Sequence, residues 1–156
     1  MSFIGEPGSR LLRTAVFAIG VCAAKHGETE ADTLVKEALP SLVKRVEEEA
    51  AIDNAVAAAL KICCHCHKSL SDTELFHAVE KVMNRLPLEH DEEEMKTVGD
   101  LLFHFLLLRP EERVQAAVLG PNGENRAKIF DMLKAQWEGD PERAHMLAQL
   151  NSSTWH

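Results

Sequence analysis

The sequence has little of what builds a β-sheet, a membrane span or a secreted fold. It contains no tyrosine and only 5% aromatic residues, and no stretch alternates apolar and polar residues between tight-turn signals, so strands are not expected. The most apolar run, Leu101 to Leu108, is interrupted by His104 and is shorter than the roughly 18 residues of a membrane helix. A signal peptide is not expected either, because no apolar stretch follows a basic patch near the start.

The net charge and the cysteines indicate which type of binding partner and which cell compartment to expect. The chain carries 17 Lys and Arg against 25 Asp and Glu, a net charge of -8. Nucleic acid and anionic membranes would therefore repel it, and a basic protein is the expected partner. Four cysteines, three of them within residues 63–66, suit a reducing compartment better than a disulfide framework, so we expect the cytosol or nucleus.

Apolar residues at three- and four-residue steps predict helices throughout the chain. The predicted helices span about residues 9–27, 30–48, 51–67, 71–86, 91–108, 110–119, 123–137 and 140–151. Ser71 and Glu74 have the spacing of a capping box at the start of the fourth helix. Asp91, followed by three glutamates, begins the fifth, where acidic groups suit the helix dipole. Pro40 predicts a kink in the second.

The chain repeats itself with a period near 40 residues. Pairs at that offset are Ala15 and Ala55, Val16 and Val56, Ala18 and Ala58, Ala38 and Ala78, and Arg45 and Arg85. Two helices per period of this length are typical of HEAT and armadillo repeats. We therefore predict an all-α superhelix of about four helix pairs, with first helices on the convex side and second helices on the concave side. It forms one array over residues 1–156, with repeats near 9–48, 51–86, 91–119 and 123–151.

Residues 63–67, Cys-Cys-His-Cys-His, carry the most reactive side chains of the sequence. Thiols and imidazoles are zinc ligands, but a structural zinc site usually takes two ligands from each of two elements, and Cys22 is the only other thiol. We interpret the cluster as core and helix-end residues, with Cys66 in the core, and keep metal binding and a redox-sensitive thiol as alternatives. Trp137 and Trp155 are interpreted as packing residues. No nucleophile, acid and base form a recognisable set, so neither an enzyme nor a cofactor is expected.

Acidic residues on the second helices of the first two pairs form the candidate binding surface. They are Glu37, Glu47, Glu48, Asp72, Glu74 and Glu80. Each alone is an ordinary solvated side chain. As a set on a concave face, they would attract Lys- and Arg-rich proteins.

Several segments resemble the C-terminal HEAT repeats of the importin-beta (karyopherin-beta) family, in particular the importin beta-3 type. They are residues 13–21 with 37–43, the Leu-Pro-Leu turn within 84–94, the Leu-Gly-Pro-Asn turn within 118–125 with 128–130, and Asp140-Pro141 with Trp155. The two turns are weak signals singly, and their succession at suitable spacing is more specific.

The resemblance implies the C-terminal part of a much longer nuclear transport receptor that shuttles between cytoplasm and nucleus. Such a receptor carries basic cargo proteins and contacts nucleoporins. Its Ran-GTP site lies mainly in an N-terminal arch, so Ran-GTP binding is expected of the full receptor rather than of this chain. An incomplete array exposes an apolar end, so we expect a compact rearrangement, a dimer through the end repeats or modest stability. The alternative is a generic HEAT-repeat scaffold or regulatory subunit unrelated to transport.

Overall fold

A computed structural model describes residues 32–47 and 53–152, which are mostly helical and include no strand. Seven α-helices follow one another: α1 Asp32–Glu47, α2 Asp53–His65, α3 Asp72–Arg85, α4 Glu92–Phe103, α5 Glu112–Leu119, α6 Arg126–Trp137 and α7 Ala144–Ser152. Short 3-10 turns cover His67–Ser69 and Pro141–Arg143, and α4 ends in a π-helical turn, His104–Leu108. In this part of the chain no helix is long and apolar enough to cross a membrane.

The all-helical prediction is confirmed, and α1 to α7 match the second to eighth predicted helices. The helix predicted over residues 9–27 lies outside the described residues. Ser71 Oγ accepts a hydrogen bond from Glu74 N at 3.2 Å, and Glu74 Oε1 accepts one from Ser71 N at 3.3 Å, which confirms the capping box. Asp91 begins α4 by accepting a bond from Glu94 N at 2.9 Å. Pro40 lies inside α1.

The helices pack in two sets that alternate along the chain. The odd-numbered helices α1, α3 and α5 contact one another in succession, and so do the even-numbered helices α2, α4 and α6. The helix pairs α1 and α2, α2 and α3, and α6 and α7 also pack against each other. This arrangement is compatible with an array of helical repeats.

Three basic side chains donate hydrogen bonds to backbone carbonyl groups that lie earlier in the chain. Arg85 donates to the carbonyls of Val46 and Glu47, Arg113 to those of His67 and Leu70, and Lys128 to that of Met83. The bonded residues are 38 to 46 positions apart, close to the 40-residue period of the sequence. These charge-assisted bonds join segments that are distant in sequence: those of Arg85 and Arg113 connect neighbouring predicted repeats, and that of Lys128 connects the fourth predicted repeat to the second.

Helix α2 lies at the centre of the described residues. All ten residues from 55 to 64 are buried, and α1, α3 and α4 each pack against the helix. The 40-residue period predicts this helix on the convex side, where one face would meet solvent, and its all-round burial does not fit that position. The alanines at 55 and 57–59 explain the difference, because small side chains let neighbouring helices approach from every side.

Gly99 lies in the middle of α4, against α6. A Cβ atom there would be 3.4 Å from Leu133 Cδ2 and 3.5 Å from Trp137 Nε1, which are ordinary contact distances. Gly99→Ala should therefore raise the free energy of unfolding by up to about 1 kcal/mol, because alanine favours the helix and restricts the unfolded chain. Urea denaturation measures this change. Gly99→Leu is the control and should destabilise by overpacking. A loss of stability in the alanine variant would contradict the prediction.

Candidate functional site

The predicted acidic surface falls on two helices that pack side by side. Glu37 and Glu47 lie on α1, and Asp72, Glu74 and Glu80 lie on α3. All five side chains are exposed. Glu48 lies outside the described residues. The five predicted residues that the structure describes therefore lie on two adjacent helices, α1 and α3.

Three of these carboxylates already have partners within the chain. Asp72 Oδ1 is 2.8 Å from Arg113 Nη2, and Glu74 takes part in the capping box. Glu47 Oε1 lies 3.5 Å from Lys81 Nζ. Exposed pairs of this kind are weak, but they offset part of the negative charge that a partner would meet.

Glu37 and Glu80 form no ion pair with another described residue, so they are the two members most available to a ligand. A carboxylate whose charge is not offset by a neighbouring cation attracts a basic side chain more strongly than one that is already paired. The acidic surface is therefore better described as two available carboxylates among internally paired ones.

A cleft of about 600 Å³ opens between the start of α4 and the end of α6. The lining residues are Glu92, Lys96, Ala135, Gln136, Glu138, Gly139, Asp140, Pro141 and Glu142. Four of them carry carboxylates and one is a lysine, so the cleft is polar and mostly acidic. No local sequence pattern predicts this cleft, because its two walls lie about 45 residues apart. Only the acidic start of α4 was visible beforehand.

Arg143 holds one wall of this cleft against α4. Its Nε donates to Asp100 Oδ1 at 2.8 Å, and its Nη1 donates to Asp140 Oδ2 at 3.2 Å. The hydrogen bond that Arg143 donates to Asp100 raises the pKa of Arg143 above its ordinary value, so the guanidinium stays charged. The turn that begins at Asp140 is therefore fixed to the body of the protein.

The cysteine cluster lies in the core at the end of α2. Cys63, Cys64 and Cys66 are buried free thiols, which confirms the predicted core position of Cys66. His65 is the last residue of α2, and its ring meets Phe105 edge-on at 5.5 Å between centroids. Within the described part of the chain, no group of three or more Cys, His, Asp or Glu side chains is arranged to hold a metal ion.

The three thiols are expected to resist modification while the protein is folded. Burial raises the pKa of Cys63 to about 12, with nearby Cys66 adding to the effect, and burial also raises the pKa of Cys64. The thiolate is the reactive form, so Ellman's reagent at pH 8 should leave all three unmodified in a Cys22→Ser variant and modify all three in guanidinium chloride.

Ala135→Cys in the same background is the control for reagent access. Ala135 is exposed on α6, and its cysteine should react at once. Rapid modification of Cys63, Cys64 or Cys66 in the folded protein would show that the end of α2 is open.

Comparisons with protein-family models, with curated proteins and with solved structures give no match. No family is therefore shown for the chain. The two turns on which the importin-beta resemblance depends both join helices: Pro87 lies between α3 and α4, and Pro121 lies between α5 and α6.

Proposed function

We propose that the chain is a non-enzymatic protein-binding scaffold of the HEAT-repeat type, curved into a superhelix. The observation that carries this proposal is the recurrence of hydrogen bonds from basic side chains to carbonyl groups 38 to 46 positions earlier in the chain. The two alternating sets of helices fit the same interpretation. Arrays of stacked helix pairs present extended surfaces that suit protein partners.

The importin-beta resemblance makes nuclear transport the preferred role of this scaffold. In this role the chain is the C-terminal part of a longer import receptor that shuttles between cytoplasm and nucleus, with nucleoporins as further partners. Ran-GTP would bind elsewhere in such a receptor. Support comes from the order of the Leu-Pro-Leu and Gly-Pro-Asn turns, which a generic repeat protein has no reason to contain.

Basic proteins are the cargo that the charge distribution favours. The net charge is -8, and five exposed carboxylates lie on the adjacent helices α1 and α3. Complementary charge speeds encounter and disfavours wrong partners, and its effect decreases with salt. Glu37 and Glu80 are the residues that we assign to this contact.

Titration of a fluorescent Lys- and Arg-rich peptide by anisotropy tests the cargo assignment. The Kd is expected to rise at least about tenfold between 0.01 M and 0.15 M salt, because the Debye length falls from about 30 Å to about 8 Å. The double variant Glu37→Gln and Glu80→Gln should weaken binding severalfold at low salt, since it removes two available carboxylates.

The matched control removes the same charge elsewhere, with Glu89→Gln and Asp131→Asn, both exposed. It should change the Kd much less. Equal weakening by the two double variants would show attraction to net charge only, and absent or salt-independent binding would contradict the cargo assignment.

The alternative is a helical-repeat scaffold or regulatory subunit unrelated to transport. An antibody against this chain separates the two roles by locating the native protein in cells. Enrichment at the nuclear rim, with an immunoblot band several times larger than 17.3 kDa, would support the receptor. A band at 17.3 kDa without rim staining would favour the alternative.

A further inference from the structure

We propose that a buried ion pair between Lys61 and Glu94 fixes how α2 aligns along α4. Lys61 Nζ donates a hydrogen bond to Glu94 Oε1 between two helices that pack together. Each of the two residues is only 7% exposed. This role of the ion pair in selecting one helix arrangement is independent of nuclear transport.

The other buried side chains of α2 and α4 do little to fix how the two helices align along their axes. Apart from Lys61, the buried residues of α2 are apolar or cysteine, and four of them are alanine. Apart from Glu94, the buried residues of α4 are apolar or glycine. Apolar burial has no preferred direction, and alanines leave shallow grooves, so a shift by one turn, about 5.4 Å, would keep most of the apolar surface covered.

The ion pair makes such a shift unfavourable. In a slipped alignment the ammonium and the carboxylate would separate while both stayed in the interior, and a buried charge without its counter-charge is strongly disfavoured. In the observed alignment, attraction roughly offsets the cost of removing both ions from water. The pair therefore raises the free energy of wrong alignments more than it lowers that of the correct one.

A second polar contact acts at the start of the same two helices. The carboxylate of Asp53 accepts hydrogen bonds from the backbone N–H groups of His90 at 2.7 Å and Asp91 at 2.8 Å. This contact is at the surface, where water can replace a broken bond. It therefore orients the helix start, while the buried pair sets the position along the helix axis.

The test replaces both charges by apolar groups of similar length, in the double variant Lys61→Met and Glu94→Met of the full chain. NMR amide spectra and contacts between α2 and α4 report the alignment, and circular dichroism reports helix content. We expect helix content close to that of the unchanged protein, with doubled or broadened amide signals confined to α2, α4 and the helices that pack on them.

One sharp set of signals with the original α2 to α4 contacts would overturn the proposal, because alignment would then not need the pair. Loss of helix content would also overturn it, because the pair would then be a stability element. The charge-swapped variant Lys61→Glu with Glu94→Lys is the rescue control and should restore one set of signals. If that variant has the multiple signals of the methionine variant, the pairing is not the cause.

Discussion

Lys61→Met alone is expected to lower the free energy of unfolding by about 3–5 kcal/mol. The substitution leaves Glu94 buried without its counter-charge. Because this residue is only 7% exposed, water cannot replace the lost interaction of its carboxylate. Small domains are stable by only about 5–15 kcal/mol, so the loss is a large fraction of the total. Urea denaturation followed by circular dichroism measures the change.

Two comparisons isolate the cause of this loss. Lys134→Met changes an exposed lysine of α6 and should shift stability by less than about 0.5 kcal/mol. Adding Glu94→Met to Lys61→Met should recover most of the stability, because neither charge then remains in the interior. A single variant as stable as the unchanged protein would mean that water reaches Glu94.

The helices could be predicted because their signals are local. The spacing of apolar residues predicted α1 to α7. Ser71 and Glu74 predicted a capping box at the start of α3, and both of its hydrogen bonds are present in the structure. The central position of α2 was missed, although its alanine-rich composition contains a signal for it. A helix that is apolar almost all round is usually buried on every side. The 40-residue period instead predicted α2 on the convex side of the superhelix.

The candidate site was less predictable because its contacts join residues far apart in sequence. Asp72 was expected to be open to cargo, and its partner Arg113 lies 41 positions later. A short stretch of sequence around Lys61 predicts a surface residue, because the partner that allows its burial, Glu94, lies 33 positions away. Local patterns find exposed faces, but only the packing shows which charges on them are already paired.

Trp137 is the largest fully buried side chain among the described residues. It ends α6, and its ring meets Phe103 of α4 edge-on with 5.3 Å between centroids, a favoured aromatic geometry. The indole ring also packs against α4 near Gly99, where a Cβ atom would lie 3.5 Å from Trp137 Nε1, an ordinary contact distance. The predicted packing role of Trp137 is confirmed, while Trp155 lies outside the described residues.

Trp137→Ala should therefore lower the free energy of unfolding by about 3–5 kcal/mol, because it removes apolar burial and leaves a cavity between α4 and α6. Leu108→Ala is the matched truncation at the surface, where the side chain is 53% exposed, and should cost less than about 0.5 kcal/mol. Urea denaturation followed by circular dichroism gives both values without relying on tryptophan fluorescence. Equal losses for the two variants would mean that α6 does not pack on α4 through Trp137. A large loss confined to Trp137→Ala would show that the packing of α6 on α4 through this side chain contributes to the stability of the fold.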